Sequence, residues 1–172
     1  MTESTAEGPS LNTQHSTLNQ GGAERVRAWM LERGVPGELI RPGDPTATVE
    51  AAAAALGVKP EQVIKSLLFL VDGSPYLVIA RGTARVNTSK LLQALGAREA
   101  RLAKKVEVEA ITGFPVGGTP PFAHRQSVLV LIDRGVLDLE EIYAGGGVDD
   151  VMLRLRTADL LGATSGQIVD VT

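Results

Sequence analysis

The residue that most needs a chemical explanation is Lys65, set inside the apolar run Val-Ile-Lys-Ser-Leu-Leu-Phe-Leu-Val, residues 63–71. Strand alternation puts it on one face with Val63, Leu67 and Phe69, while Ile64, Leu68 and Leu70 occupy the other. Neither face is a natural solvent face, and lysine is among the residues least often fully buried, because its ammonium is costly to desolvate. Lys65 therefore either snorkels to water from the start of the strand, or points into a polar pocket where an anionic or carbonyl partner is expected. The residues alone leave both open.

A second feature is the segment Thr-Gly-Phe-Pro-Val-Gly-Gly-Thr-Pro-Pro-Phe-Ala-His-Arg-Gln, residues 112–126, with three glycines and three prolines in fifteen positions. Glycine permits positive φ and close approach, and proline fixes φ and removes a donor. Such a loop can present backbone N–H and C=O groups to a ligand, as an oxyanion hole does, or serve only as a long structural turn. It is neither a Walker loop nor a GxGxxG turn. A further glycine cluster, Gly145-Gly146-Gly147, follows a strand-like segment and alone signifies a turn. His124 has no paired carboxylate nearby in sequence and reads as a surface residue. Asp133 ends an apolar segment, where it could cap the next turn or face a pocket.

What is missing narrows the chemistry. There is no cysteine, which excludes a thiol nucleophile, a disulfide framework and every Cys-based metal site. Two histidines, His15 and His124, leave no HExxH pair and make a Ser-His-Asp triad hard to build. No metal site is expected. Apolar runs fall far short of the ~18 residues of a membrane span, and the first residues have neither a basic nor an apolar signal region. A soluble, cytoplasmic protein without membrane association is expected. Aromatic residues make up 3% of the chain, so the core is aliphatic and a stacking platform for single-stranded nucleic acid is not expected.

The elements that would position these residues can be read from pattern and punctuation. Residues 1–22 are polar with little to bury and read as a disordered, dispensable tail, leaving 23–172 as one domain. An amphipathic helix is predicted from Ala23 to Gly34, an extended piece at Glu38–Ile40, and a helix capped by Thr48 and stopped by Gly57. Pro60 suits a short helix leading into a β-hairpin around Asp72-Gly73-Ser74-Pro75. Helices are predicted at Thr88–Leu95 and Ala103–Ile111, and a strand over residues 127–133. Two more strands should come next, then a helical turn at Thr157–Leu161 and a last strand at Gln167–Val171. Helices and strands intermix without βα periodicity, which predicts an α+β fold with a mixed sheet.

Charge is uneven. The chain carries a net −3, yet residues 81–105 hold seven basic residues against Glu99 alone. Such a segment is either a set of ordinary solvated helix faces or a local footprint for a phosphate backbone.

The motifs taken together resemble the YbaK/prolyl-tRNA synthetase-associated aminoacyl-tRNA editing-domain family. The resemblance runs over roughly Val26–Val169. It rests on the segment 45–82 around Lys65, on Asn87, Lys90 and Leu91, on Gly117–Pro121, and on the turn Ala144–Gly147. It implies a mixed, barrel-like β-sheet surrounded by helices, and hydrolysis of mischarged aminoacyl-tRNA in trans. A Cys- or Ala-tRNA(Pro) type of deacylase is implied, without a cofactor.

By the same resemblance Lys65, Gly117 and Gly118 would be catalytic, the lysine anchoring the substrate near its terminal phosphate or ester. Ser66, Thr119, Pro121, Ala144, Gly145 and Gly146 would bind substrate, with Ser66 at a position that helps set the amino acid accepted. Arg81, Lys90, Arg98 and Arg101 would hold the tRNA acceptor end, and a prolyl-tRNA synthetase is a candidate partner. Deacylation is hydrolysis of an activated ester, so carbonyl polarisation, a positioned water and a size filter suffice. Two other classes fit the same residues: a non-catalytic tRNA- or synthetase-binding module of the same fold, and an esterase acting on small aminoacyl esters.

Overall fold

A computed structural model describes residues 11–172, with side chains described from residue 21 onward. Of the expected tail, residues 1–10 lie outside the described residues. The first helix, α1, spans Leu11–Arg33, and the boundary at residue 22 falls within it. Gly34, at φ +63°, ends it as the glycine predicts. The helix docks closely: a Cβ on Gly22 would lie 2.1 Å from the Gly147 carbonyl oxygen.

The middle of the chain obeys its punctuation. β1 is Glu38–Ile40, and α2 is Val49–Leu56, with the Thr48 side chain accepting from the Ala51 amide at 3.1 Å and Gly57 left-handed at its end. A 3-10 turn at Pro60–Gln62 leads into β2, Ile64–Val71, which pairs antiparallel with β3, Ser74–Arg81. The hairpin turn is the two residues Asp72 and Gly73, both at positive φ, the geometry whose twist matches paired strands. α3, Thr88–Leu95, is capped by Asn87 and stopped by Gly96.

Past α3 the sequence pattern is less complete. β4, Ala100–Leu102, has no counterpart among the predicted elements, because three residues with an arginine at the centre carry too little alternation. α4 is Lys105–Thr112, not Ala103–Ile111, since the Ala103 amide still donates to the Leu68 carbonyl at 2.8 Å. β5 is Leu129–Asp133, β6 Glu141–Gly145 and β7 Met152–Arg156. α5 extends to Thr164, and β8 is Gln167–Val169. β8 stops there because the Val171 amide turns to the Asp133 carboxylate, at 2.9 Å.

The strands form two sheets, ordered β4-β2-β3-β5-β8 and β1-β7-β6. β3, β5 and β8 run parallel and the other pairs antiparallel, so the fold is α+β with a mixed sheet. Among the described residues the barrel-like closure is not formed: one parallel bridge, Val63 to Tyr143, joins the two sheets. Both faces of β2 and β3 are covered, as their continuous apolar runs imply. One face packs Ile64, Leu68, Leu77 and Ile79 against α1, β6, β7 and α5. The other packs Phe69, Val71 and Val78 against Leu91 of α3.

Candidate active site

Because β4 pairs with β2 only over Phe69–Val71, residues 64–67 of β2 have a ladder partner on the β3 side alone. A cavity of about 260 Å³ opens along that free edge. One wall is the entry to α2, Thr46–Val49 with Ala52; the opposite wall is Leu102, Ala103, Val108 and the loop residues Val116, Gly117 and Thr119. Gly145 and Met152 contribute from β6 and β7. The Thr46 hydroxyl donates to the Asp149 carbonyl at 2.7 Å, tying the first wall to the β6–β7 turn.

Lys65 lines this cavity, half-buried, and its ammonium finds carbonyl partners. Nζ donates to Ala84 O at 2.5 Å and to Gly82 O at 3.3 Å. The open choice between snorkelling and a polar pocket resolves towards the pocket. Burial first, and then the charge of nearby Arg85, lower its pKa below the ordinary lysine value. Beside it, the buried Ser66 hydroxyl has no hydrogen-bond partner. The ammonium and the apolar walls make a small site able to orient a polar group on an otherwise apolar ligand, while the Ser66 hydroxyl is closed off from solvent within the wall.

The glycine loop is held by its own backbone. Gly118 N donates to Pro115 O at 3.1 Å, and the Thr119 hydroxyl donates to the same oxygen at 2.9 Å. Gly117 sits at φ +91°. The Gly147 amide donates to Gly118 O at 2.8 Å, locking the loop to the second glycine cluster. A Cβ on Gly118 would meet the Val148 backbone at 2.8 Å, and one on Gly145 would meet Thr119 O at 2.7 Å.

The structure thus brings Lys65, Ser66, Gly117, Thr119 and Gly145 to one cavity. Gly118, Pro121, Ala144 and Gly146 are buried behind it and shape it without lining it. The four basic residues do not gather there. Arg81 borders a separate groove with Lys59 and Arg156. Lys90 pairs with Asp170 at 3.2 Å and donates to Thr172 O at 2.6 Å. Arg98 lies beside the hairpin turn, its amide held by Asp72 at 3.0 Å. Arg101 forks onto Glu107 at 2.8 and 2.7 Å, and that side-chain bond, with the Lys104 amide, lowers the Glu107 pKa to about 2.

Two further residues are placed by the structure. His124 is only partly exposed: its Nε2 bonds the Pro120 carbonyl at 2.8 Å and its ring packs edge-on to Phe114. Burial outweighs that bond and lowers its pKa. Asp133, read as a cap or a pocket residue, is a buried cap: its carboxylate takes the Gly135 amide of the next turn, the Val171 amide and the Thr172 hydroxyl. Thr46–Val49, Leu102 and Val116 form walls that the sequence pattern did not single out. The proline-rich approach to Thr48 was a usable signal for the first; the others carry none.

With this geometry in view, comparison with known proteins is decisive. The aminoacyl-tRNA editing domain model matches residues 43–163. The chain belongs to that family. It is 37% identical over 102 residues to the proline–tRNA ligase of Lysinibacillus sphaericus, a match covering 59% of this chain and 18% of the ligase. It is 43% identical over 84 residues to that of Nitratidesulfovibrio vulgaris, covering 49% and 14%. The chain therefore spans less than a fifth of these curated relatives. Among solved structures, one proposed to be a trans-editing enzyme for prolyl tRNA synthetase aligns with TM-score 0.82 and 30% identity, over 88% of this chain and 96% of that one. Among the described residues no helix is long and apolar enough to cross a membrane.

Proposed function

We infer that this editing domain is a deacylase that hydrolyses mischarged aminoacyl-tRNA in trans, with a small amino acid, cysteine or alanine, on tRNA(Pro) as its substrate. The observation that carries this is the cavity itself. Its volume, about 260 Å³, sits below the ~300–1,000 Å³ of sites that enclose drug-sized ligands, so it suits a small aminoacyl group. Lys65 and Ser66 are its polar groups on β2, and Val49, Ala52, Leu68, Val108 and Met152 are apolar neighbours that restrict size.

In the reaction, a water oxygen bonds to the ester carbonyl carbon, and the bond from that carbon to the ribose oxygen breaks. The ribose oxygen leaves with one proton of the water, the other is released to solvent, and the amino acid departs as its carboxylate. The Lys65 ammonium holds the substrate beside the ester and stabilises negative charge developing on the oxygens. The Gly117–Thr119 backbone fixes the approach of ester and water, and Ser66, in the cavity wall, helps set the room left for the aminoacyl group. A second site of this kind is useful because one methylene discriminates by only ~1–3 kcal/mol in binding.

A deacylation panel tests the proposal: tRNA(Pro) and other tRNAs charged with Cys, Ala, Ser, Thr and Pro. Release of Cys or Ala from tRNA(Pro), with Pro-tRNA(Pro) spared, is expected. Binding of charged tRNA without hydrolysis would instead indicate the non-catalytic module, and indifference to the tRNA would indicate a simple esterase.

A further inference from the structure

The cavity accounts for the aminoacyl group and leaves the nucleoside that carries it without a seat. At about 260 Å³ it is too small to enclose both. The base must therefore lie at the mouth, and the mouth has one distinctive surface. Leu102, at the end of β4, and Val116, in the glycine loop, both border the cavity, and they are 55% and 54% exposed. Two large aliphatic side chains left this open at the rim of one cavity offer an apolar contact surface beside it. Lys104, immediately beyond, is exposed without an ion pair among the described residues and places positive charge next to the pair, while Lys105 beside it pairs with Glu109 at 3.9 Å.

We propose that Leu102 and Val116 form an aliphatic ledge on which the terminal nucleobase of the RNA lies flat, while its aminoacyl ester enters the cavity. This rests on the proposed deacylase function for the identity of the ligand. The two features fit a nucleotide better than a protein partner: apolar surface for a flat ring adjoins cations for the preceding phosphates, and both adjoin a cavity sized for what the ribose carries. Neither side chain has a polar group, so the ledge holds the base by its face and cannot read its edge. Adenine, guanine, cytosine and uracil in the last position should bind alike, since every base has a face to offer.

The test uses the full chain and two uncharged RNA hairpins, one ending in CCA and one truncated to CC, with affinity read by fluorescence anisotropy. The wild type should prefer the CCA hairpin by about tenfold, the scale of burying one base face. In Leu102→Ser/Val116→Ser that preference should collapse, and each single variant should lose part of it. Both sites are exposed, so an unchanged melting temperature is expected and is checked. A hairpin ending in CCG should bind the wild type as the CCA hairpin does.

A preference that survives the double variant, or a wild type that binds both hairpins equally, would overturn the ledge. A change in oligomeric state with no change in RNA affinity would also overturn it, and would assign the patch to a protein contact. Deacylation failing while the preference holds and depends on the ledge would sink the catalytic proposal and leave the ledge standing.

Discussion

The amide of Gly147 donates to the carbonyl of Gly118 at 2.8 Å, joining two glycine clusters that lie almost thirty residues apart in sequence. Around this bond the backbones approach too closely for any side chain. Gly118 lies against Val148, Gly145 against Thr119, and Gly147 against Gly22 of α1. The loop thus owes its shape to packing against the β6–β7 turn.

Gly118→Ala should therefore act through stability. Its Cβ would press on the Val148 backbone at 2.8 Å, which cannot swing aside as a side-chain end could. A fall in melting temperature of several degrees is expected, on the scale of the ~1–3 kcal/mol cost of overpacking. Gly117→Ala meets open space but must hold φ +91°, so it too costs stability, through backbone strain of about 1–3 kcal/mol, and because Gly117 borders the cavity it should also slow turnover of the folded protein. Thermal melting and single-turnover hydrolysis on both variants separate the two. A folded Gly118→Ala protein that loses as much turnover as folded Gly117→Ala would contradict the distinction between packing and cavity.

Much of this was legible in the residues. Thr48, Gly34 and Gly57 marked helix ends, and the continuous apolar runs of β2 and β3 announced a sheet covered on both faces. Lys65 raised the choice between snorkelling and a pocket, which residues alone could not decide. What was not legible is what only tertiary contact decides. Composition cannot show that Gly118 packs on Val148 while Gly117 faces a cavity. Nor could it show that Lys90 and Arg101 are engaged by Asp170 and Glu107, which ties up part of the apparent basic footprint in ion pairs within the chain. His124 looked solvent-exposed because its partner is the carbonyl of Pro120 and its cover is Phe114, both invisible to local pattern.

Those ion pairs sort the basic residues. Arg98 and Lys104 have no ion pair among the described residues, so replacing both with Ala should weaken tRNA binding evenly across tRNA sequences. The slope of log affinity against log salt should flatten by ~0.7–0.9 for each phosphate that is no longer neutralised. Lys90→Ala should leave that slope unchanged, because its ammonium already serves Asp170 and the Thr172 carbonyl. A Lys90 variant that flattens the slope as much as the Arg98/Lys104 variant would place the RNA on the α3 side instead.

His124 should impose an acid limit on stability. Burial lowers its folded-state pKa below the unfolded value of ~6.5, so the unfolded chain binds the extra proton first. The stability of the neutral form is fully present above pH ~6.5 and falls as pH drops from there through the folded pKa. Melting temperature between pH 7.5 and pH 5 should decline in the wild type and decline less in His124→Gln. Parallel declines in the two proteins would show that the histidine does not carry the effect.

The central claim is that the Lys65 ammonium serves the substrate more than the fold, and single-turnover hydrolysis of Cys- and Ala-tRNA(Pro) by Lys65→Met tests it most directly. The bonds from the charged Nζ to the Gly82 and Ala84 carbonyls belong to a class worth ~1.5–3 kcal/mol, but a half-buried site lets water take over both carbonyls when the ammonium is removed. The melting temperature should therefore shift by a few degrees at most. The rate should fall by about two or more orders of magnitude, as the loss of one charged stabiliser commonly costs. Lys65→Arg should not restore it, because a planar fork cannot reproduce a point charge seated between two carbonyls. A Lys65→Met protein that melts early yet hydrolyses at the wild-type rate once folded would contradict the claim and make Lys65 a structural residue.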